Sequence, residues 1–208
     1  MTISLPAIFE RKKGFWLDAD HQIECAKSSK RSTRARMIVL HWTAAPKKTI
    51  EGNLDRICRW AADASQKSST HFVILRDGSI WQLVSTELAA WHAGDSKWRC
   101  VDGTSSSKSV NGFSIGIDFD LVGPLMPKGD GFVDCYGCAF DGEAERAADG
   151  KWYEPPTEGQ MWACRVLIDA LRARYGIATA DIVGHLNVSP GRKIDPGPFI
   201  NRQTLGIE

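Results

Sequence analysis

Residues 37–43 have the sequence Met-Ile-Val-Leu-His-Trp-Thr, in which a continuous apolar run ends at a histidine. Four consecutive apolar residues are typical of a strand that is buried on both faces. Polar side chains beyond the end of such a strand lie in the loops where active sites are usually built. The stretch therefore predicts a central strand with a candidate functional residue, His41, at its end.

The sequence around this strand predicts further strands and two helices. Apolar residues recur at helical spacing at 49–64 and, after a capping-box signature at 157–160, also at 161–175. Two apolar runs flank Arg-Asp-Gly-Ser at 76–79 and predict a β-hairpin. Further strand candidates are residues 114–119 and 181–184. This combination indicates a mixed α/β fold, with a single central mixed β-sheet flanked by helices.

The length of 208 residues suits one domain with a sizeable core. We expect residues 1–208 to form a single domain, with a lead-in segment at 1–36 and the core at 37–200. The lead-in segment ends in the basic run 30–36, which we interpret as a solvated surface. Residues 123–156 are rich in Gly, Pro, Asp and Lys, and this composition predicts a long surface excursion.

The six cysteines are too few and too scattered for a disulfide scaffold in a chain of this size. Two of them, Cys135 and Cys138, form a C-x-x-C motif inside the surface excursion. Such a motif can bind zinc or carry out redox chemistry. Because no second cysteine pair and no nearby histidine completes a site, we expect an idle or mildly oxidisable pair.

The overall charge and the N-terminus restrict the classes of partner. A formal net charge of +1 implies no bulk attraction to nucleic acid or to an anionic membrane. No apolar stretch approaches the roughly 20 residues of a membrane span, and the N-terminus lacks the pattern of a signal peptide. We therefore expect synthesis in the cytoplasm without a signal peptide, no nucleic-acid or membrane partner, and a monomer.

Three candidate metal ligands lie at strand ends or just beyond them: His41, His185 and Asp195. Asp195 follows His185 by ten residues, in a loop at 190–198 that three prolines stiffen. A single histidine at a strand end is more often structural than a ligand. Together, two imidazoles and a carboxylate suit Zn²⁺ and leave a fourth position open for water. Such a site lowers the pKa of the water to about 7, which suits hydrolysis of an amide.

Several stretches, taken in order, resemble the zinc-dependent N-acetylmuramoyl-L-alanine amidases. That family includes phage amidase lysozymes, anhydro-muropeptide recycling amidases and peptidoglycan recognition proteins. The resemblance covers roughly residues 37–200 and implies the fold of that family, with one amidase catalytic domain. The matching stretches are 38–43, 71–74 with 76–78, 90–96, 114–118 and 184–198. The loop at 190–198 looks most like the recycling branch, in which the third zinc ligand is Asp.

The resemblance also implies the catalytic residues. It assigns His41, His185 and Asp195 as the zinc ligands, and Lys193 as the cation near the tetrahedral intermediate, where an ammonium stabilises the developing oxyanion. Asp118 stands where the recycling branch typically has Glu, a base or acid for the attacking water. Aspartate is one methylene shorter, so its direct reach to the water is in question. Asp120 is a less favoured substitute.

Three more residues are candidates for the substrate groove. His92 belongs to a Trp-His-Ala-Gly segment that faces the substrate cleft in the family, where it is expected to hydrogen-bond the muramyl or peptide part. Trp42 and Asn111 are expected either to line the groove or to support the metal ligands. The implied substrate is peptidoglycan or its muropeptide fragments, cut in the cytoplasm during recycling or in the periplasmic wall after release or export.

Two alternative functions remain open at this point. The first is a non-catalytic peptidoglycan-binding module of the same fold, although such modules often lose the third ligand. The second is a zinc peptidase that cuts between amino acids, although the H-E-x-x-H pattern is absent.

Overall fold

A five-stranded mixed sheet forms the centre of the computed structural model, which describes residues 21–46 and 49–207. In order across the sheet, the strands are β14 (Ile182–Gly184), β2 (Met37–Trp42), β8 (Ser114–Phe119), β3 (Phe72–Ile74) and β4 (Ile80–Gln82). The first four strands run parallel to one another, whereas β4 pairs antiparallel with β3. The carboxyl ends of the parallel strands therefore meet at one edge of the sheet, as the predicted mixed α/β fold requires.

Two helices accompany this sheet, α1 (Ile50–Ala62) and α2 (Glu158–Tyr175). The predicted capping box is confirmed at the start of α2, where the Thr157 side chain accepts from the backbone of Gln160 and the Gln160 side chain accepts from the backbone of Thr157. The helix ends at Gly176, whose φ of +67° is the left-handed conformation that glycine adopts without a Cβ penalty. Both helices cover the segments in which the helical spacing of apolar residues predicted them.

Alternation along β2 sends its side chains into two different parts of the core. Ile38 and Leu40 pack with the apolar face of α2, whereas Met37 and Val39 pack on the opposite face of the sheet. Burying each such side chain stabilises the fold by about 1.5–3 kcal/mol. His41 is the next residue on the Met37 and Val39 face, and it therefore emerges beside the loops that cover this face.

Residues 123–156 form the predicted surface excursion, with mostly exposed side chains, but short strands organise it into a sheet. Five short strands form a second, antiparallel sheet in the order β11-β10-β9-β13-β12. Their bounds are β9 (Pro124–Lys128), β10 (Gly131–Val133), β11 (Ala139–Phe140), β12 (Glu145–Arg146) and β13 (Trp152–Tyr153). We call this second sheet the insert sheet. It leaves the main sheet directly after β8 and returns directly before α2.

The segment before β2 is also part of the fold in the portion that the structure describes. Strand β1 (Ser28–Lys30) pairs antiparallel with β5 (Leu88–Ala90). The Arg31 guanidinium donates to the backbone oxygens of Thr86 and Ser114 and contacts the His71 ring. The interpretation of the basic run as solvated is therefore wrong for Arg31, because main-chain carbonyls of two other segments bind it. Residues 1–20 of the lead-in segment lie outside the described residues.

The remaining elements are short. They are β6 (Trp98–Arg99) paired with β7 (Ser105–Ser106), α3 (His185–Val188), and single 3₁₀ turns at Asn111–Phe113 and Thr179–Asp181. Within residues 21–46 and 49–207, no helix is both long enough and apolar enough to span a bilayer.

Candidate metal centre and its cleft

The three predicted ligands converge at the carboxyl edge of the main sheet. His41 lies near the end of β2, His185 begins α3 directly after β14, and Asp195 lies in the loop that follows. His41 Nδ1 is 3.0 Å from His185 Nδ1 and 3.0 Å from Asp195 Oδ2, and His185 Nδ1 is 2.9 Å from Asp195 Oδ2. All three side chains are buried. The fold thus brings together residues that are 144 and 154 positions apart in the chain.

The other ring nitrogen of His185 shows which tautomer this residue adopts. His185 Nε2 lies 3.0 Å from the backbone oxygen of Ala93. A carbonyl can only accept, so Nε2 carries the proton and donates it. Nδ1 is then unprotonated and directs its lone pair toward His41 and Asp195, which is the tautomer that a metal ligand needs.

A second set of contacts orients His41. His41 Nε2 lies 2.9 Å from His92 Nδ1, and His92 Nε2 lies 2.9 Å from Ser114 Oγ. Burial is the main cause that holds the pKa of His92 well below its usual range, so His92 is neutral. If His41 Nε2 donates to His92 Nδ1 and His92 Nε2 donates to Ser114 Oγ, each of these ring nitrogens has a hydrogen-bond partner. His41 Nδ1 is then unprotonated as well.

In these tautomers, three acceptor atoms lie within 3.0 Å of one another: His41 Nδ1, His185 Nδ1 and Asp195 Oδ2. Such a group is electrostatically unfavourable unless a cation lies among its lone pairs. A carboxylate and two imidazole nitrogens therefore face one point, and this donor set fits a metal ion such as Zn²⁺.

A cavity of about 390 Å³ opens onto this cluster. Its wall contains the three ligand residues and four of the other predicted site residues: Asp118, Lys193, His92 and Trp42. The rest of the wall comes from the loop after β2, from α1, from the segment between α1 and β3 together with β3 itself, and from the turn between β10 and β11 of the insert sheet. These further residues include Ala44, Pro46, Arg56, Trp60, Ser68 and Tyr136.

Asp118 lies beside the ligand strand. In the register of β2 and β8 it pairs with His41, and both side chains are on the same face of the sheet. Burial raises the pKa of the Asp118 carboxyl above its ordinary value. A carboxyl with a raised pKa, adjacent to a ligand and open to the cavity, is suited to accept and return a proton.

Asp120 has a different role from the one considered for it as a substitute base. Its fully buried carboxylate binds Arg76 Nη1 at 2.7 Å and Arg56 Nη2 at 3.0 Å. Arg76 also binds Glu154 through Nε at 2.7 Å and Nη2 at 3.0 Å. Asp120 is thus held between two guanidinium groups, and the substitute role is corrected: it ties the main sheet to α1 and to the insert sheet.

The structure places Trp42 and Asn111 differently from each other. Trp42 lines the cavity and packs closely on Gly123 and Gly197, where an added Cβ would come within 2.9 Å and 2.5 Å of its ring. Asn111 accepts a hydrogen bond of 2.9 Å from the backbone nitrogen of Ala93. Among the described residues, Asn111 is not part of the cavity wall, so it supports the loop that carries His92 rather than the groove.

Arg192 and Ser114 are supporting residues that the sequence did not predict. Arg192 Nη2 donates to the backbone oxygens of Ala93 and Asp95 at 2.8 Å and 2.6 Å, and to Ser189 Oγ at 2.7 Å. It therefore fixes the carbonyl that orients His185. Its position directly before Lys193 was a sequence signal that could have marked it, whereas Ser114 gave no signal beyond its place in a strand.

Cys135 and Cys138 are both exposed and not disulfide-bonded. They lie in the turn between β10 and β11 of the insert sheet. In the described residues, the candidate metal cluster contains neither of them. The idle pair expected from the sequence stays a prediction.

Comparison with known proteins agrees with this geometry. A family model described as N-acetylmuramoyl-L-alanine amidase matches residues 31–198. The N-acetylmuramoyl-L-alanine amidase AmiD of Escherichia coli is 28% identical over 201 residues, which are 93% of this chain and 58% of AmiD. The chain thus spans somewhat more than half the length of that relative.

Two solved structures share the fold. A crystal structure of AmpD superimposes with a TM-score of 0.66 at 24% identity, covering 94% of this chain and 96% of AmpD. The complex of E. coli AmiD with anhydro-N-acetylmuramic acid-L-Ala-D-γ-Glu-L-Lys superimposes with a TM-score of 0.59 at 28% identity, covering 84% of this chain and 58% of AmiD. The mixed α/β fold is therefore that of the AmpD and AmiD amidases.

Proposed function

The chain belongs to the N-acetylmuramoyl-L-alanine amidase family, and from this premise we propose that it is a zinc hydrolase. The bond that it cuts is the amide between N-acetylmuramic acid and L-alanine. The observation that carries the proposal is the convergence of His41 Nδ1, His185 Nδ1 and Asp195 Oδ2 within 3.0 Å of one another at the base of an open cavity. A binding module has no need of such a cluster.

When it is bound, zinc supplies Lewis acidity for the scissile carbonyl and for a water molecule. The protein residues do the rest. Asp118 accepts the proton of the attacking water and returns it to the leaving amine of L-alanine. Lys193, in the same cavity wall, places a positive charge near the oxyanion that forms at the carbonyl. His92 and the Ala93 carbonyl hold His41 and His185 in the tautomers that bind the metal.

The substrate proposed is a muramyl peptide, either in peptidoglycan or as a soluble fragment. Support comes from AmiD, whose complex contains an anhydro-muramyl tripeptide. The proposed place of action is the cytoplasm during recycling, or the periplasmic wall after release or export. The proposed form is a monomer, with no nucleic-acid or membrane partner.

Mass spectrometry of a digested muramyl peptide tests this function. The purified protein with one equivalent of zinc is incubated with N-acetylmuramoyl-L-Ala-D-Glu peptides and, separately, with intact sacculi. We expect lactyl-bearing sugars and peptides with a free L-alanine amino terminus. Cleavage between amino acids instead would indicate a peptidase, and binding without any cleavage would indicate a recognition module. The ratio of the two rates identifies fragments or wall as the preferred substrate.

A further inference from the structure

Hydrogen bonds fix the turn at residues 134–138, which joins β10 to β11 of the insert sheet. Asp134 and Cys138 close it with a backbone hydrogen bond of 2.9 Å, and Gly137 donates to the Asp134 oxygen at 3.0 Å. Gly137 has a φ of +78°, which this turn requires and which glycine adopts readily. The Asp134 carboxylate also accepts from the backbone nitrogens of Tyr136 and Cys138, both at 2.9 Å. The turn therefore presents Tyr136 in a defined position.

Tyr136 reaches from this turn to the cavity that contains the candidate metal centre. Its hydroxyl donates to the backbone oxygen of Ala44 at 2.8 Å, in the loop after β2, and its side chain forms part of the cavity wall. Ala44 has a φ of +52°, an unfavourable conformation for a residue other than glycine, and such strain is concentrated at functional sites. Tyr136 nevertheless remains 62% exposed. Because the hydroxyl is already engaged, the face of the ring is what Tyr136 offers to a ligand.

The base of the insert sheet is anchored firmly enough to keep this position. Glu154, directly after β13, binds Arg76 through both oxygens and accepts from the backbone nitrogen of Val122 at 2.6 Å. Gly123 packs against the Trp42 ring, and the Trp42 and Tyr153 rings lie 6.2 Å apart. The insert sheet therefore contacts Trp42, the residue next to the ligand His41.

The cavity wall combines two chemically different kinds of side chain. His41, Asp118 and Lys193 contribute polar and charged groups, whereas Trp60 and Tyr136 contribute aromatic rings. Ligand sites commonly combine a few polar groups that fix orientation with aromatic surface that buries the rest of the ligand. The aromatic part of the wall is therefore suited to a largely apolar surface of the ligand.

We propose that Tyr136 is a substrate-binding residue whose ring stacks on the pyranose of the N-acetylmuramic acid part. This inference rests on the proposed function. The muramyl peptide seen in the AmiD complex consists of the sugar, alanine, a γ-linked glutamate and lysine. An alanine methyl and a carboxylate match the face of an aromatic ring poorly, whereas one face of a sugar ring is lined by C–H groups and packs well on it. The lysine ammonium is also attracted to an aromatic face, but it lies two residues beyond the alanine at the scissile amide, whereas the sugar is directly at that amide. The insert sheet thus has a function in specificity for the sugar.

Steady-state kinetics on N-acetylmuramoyl-L-Ala-D-Glu test the proposal with three variants. Tyr136→Ala removes the ring, and Tyr136→Phe keeps the ring but loses the hydrogen bond to Ala44. Met126→Ala is the matched control, because Met126 is 52% exposed on the same sheet and is not part of the cavity wall. We expect Tyr136→Ala to raise KM about tenfold with kcat nearly unchanged, since only uniform binding is lost. Tyr136→Phe and Met126→Ala should stay within about twofold of the parent.

A fragment without the sugar, D-lactoyl-L-Ala-D-Glu, gives the second measurement. Its inhibition constant should be the same for the parent and for Tyr136→Ala. An equal weakening of both ligands would place the ring on the peptide and overturn the proposal, as would an unchanged KM in Tyr136→Ala. If the parent cuts no muramyl peptide, the proposed function fails instead. Calorimetric binding of the muramyl peptide to the parent and to Tyr136→Ala then still decides whether Tyr136 binds the sugar.

Discussion

The Nδ1 atoms of His41 and His185 lie 3.0 Å apart, although each has its proton partner on the opposite side of its ring. In the tautomers that these partners favour, both nitrogens face the Asp195 carboxylate, whose Oδ2 lies 3.0 Å from His41 Nδ1 and 2.9 Å from His185 Nδ1. Tertiary contacts fix both rings from outside. A cation bound by these three groups adds to the stability of the folded chain, so we expect metal binding and folding stability to be coupled.

The first prediction concerns this cluster. His185→Ala removes one of three ligands, and we expect it to lose both the metal, about one zinc per chain in the parent, and the activity. Metal content by atomic emission and turnover of a muramyl peptide are measured on the same preparation. For the parent, a chelator should also lower the melting temperature. If His185→Ala kept stoichiometric zinc and normal turnover, the ligand assignment would be wrong.

The second prediction concerns Gly116, on the strand beneath His92. A Cβ at this position would lie 2.7 Å from His92 Cγ and 2.9 Å from Thr70 Oγ1, whereas a Cβ at Gly131 would meet no atom within 4 Å. His92 cannot move away cheaply, because both of its nitrogens are engaged. Gly116→Ala should therefore destabilise the fold by about 1–3 kcal/mol.

The same substitution should weaken zinc binding by about tenfold or more, because displaced His92 no longer orients His41. Thermal unfolding and a competitive chelator titration measure the two effects. Gly131→Ala serves as the control, since it also places alanine in a strand without a clash. Equal melting temperatures and equal zinc affinities in the two variants would contradict the supporting role of His92.

The third prediction separates a transition-state role from a ligand role. Lys193 lines the cavity but does not belong to the cluster of metal-binding atoms. Lys193→Ala should keep the metal while kcat falls by roughly 10²–10³, the usual loss for one group that stabilises an oxyanion. Stopped assays over a range of substrate concentrations give kcat and KM separately. A change confined to KM would show that Lys193 only binds substrate.

Much of the main sheet and the metal cluster could be predicted because their signals are local. The apolar run of β2 continues directly into His41, and the spacing between His185 and Asp195 lies within one loop. The capping box at Thr157 likewise needs only neighbouring residues. Local signals of this kind, together with five stretches in the order of a known family, indicated which residues meet in space.

The features that the sequence did not predict depend on partners that are distant in the chain. The strands of the insert sheet have two to five residues and expose many of their side chains, so no apolar period marks them. The position of Arg31 depends on carbonyl groups of Thr86 and Ser114, and that of Asp120 on guanidinium groups from two other segments. Charged residues are read from sequence as solvated unless such partners are known.

The last prediction concerns Asp118, where this sequence has a shorter carboxylate than its family resemblance suggests. In the fold, Asp118 pairs with His41 across adjacent strands and lies in the cavity wall, so its carboxyl is close to the metal cluster. Asp118→Asn keeps the size and most contacts of the side chain but cannot accept the proton of the attacking water. Metal content and melting temperature should stay close to the parent, while kcat on a muramyl peptide falls by roughly 10²-fold or more.

Asp118→Glu, which restores the commoner length, should keep substantial activity. Asp120 cannot substitute, because Arg76 and Arg56 already bind its carboxylate. Full activity of Asp118→Asn would therefore mean that the metal alone activates the water.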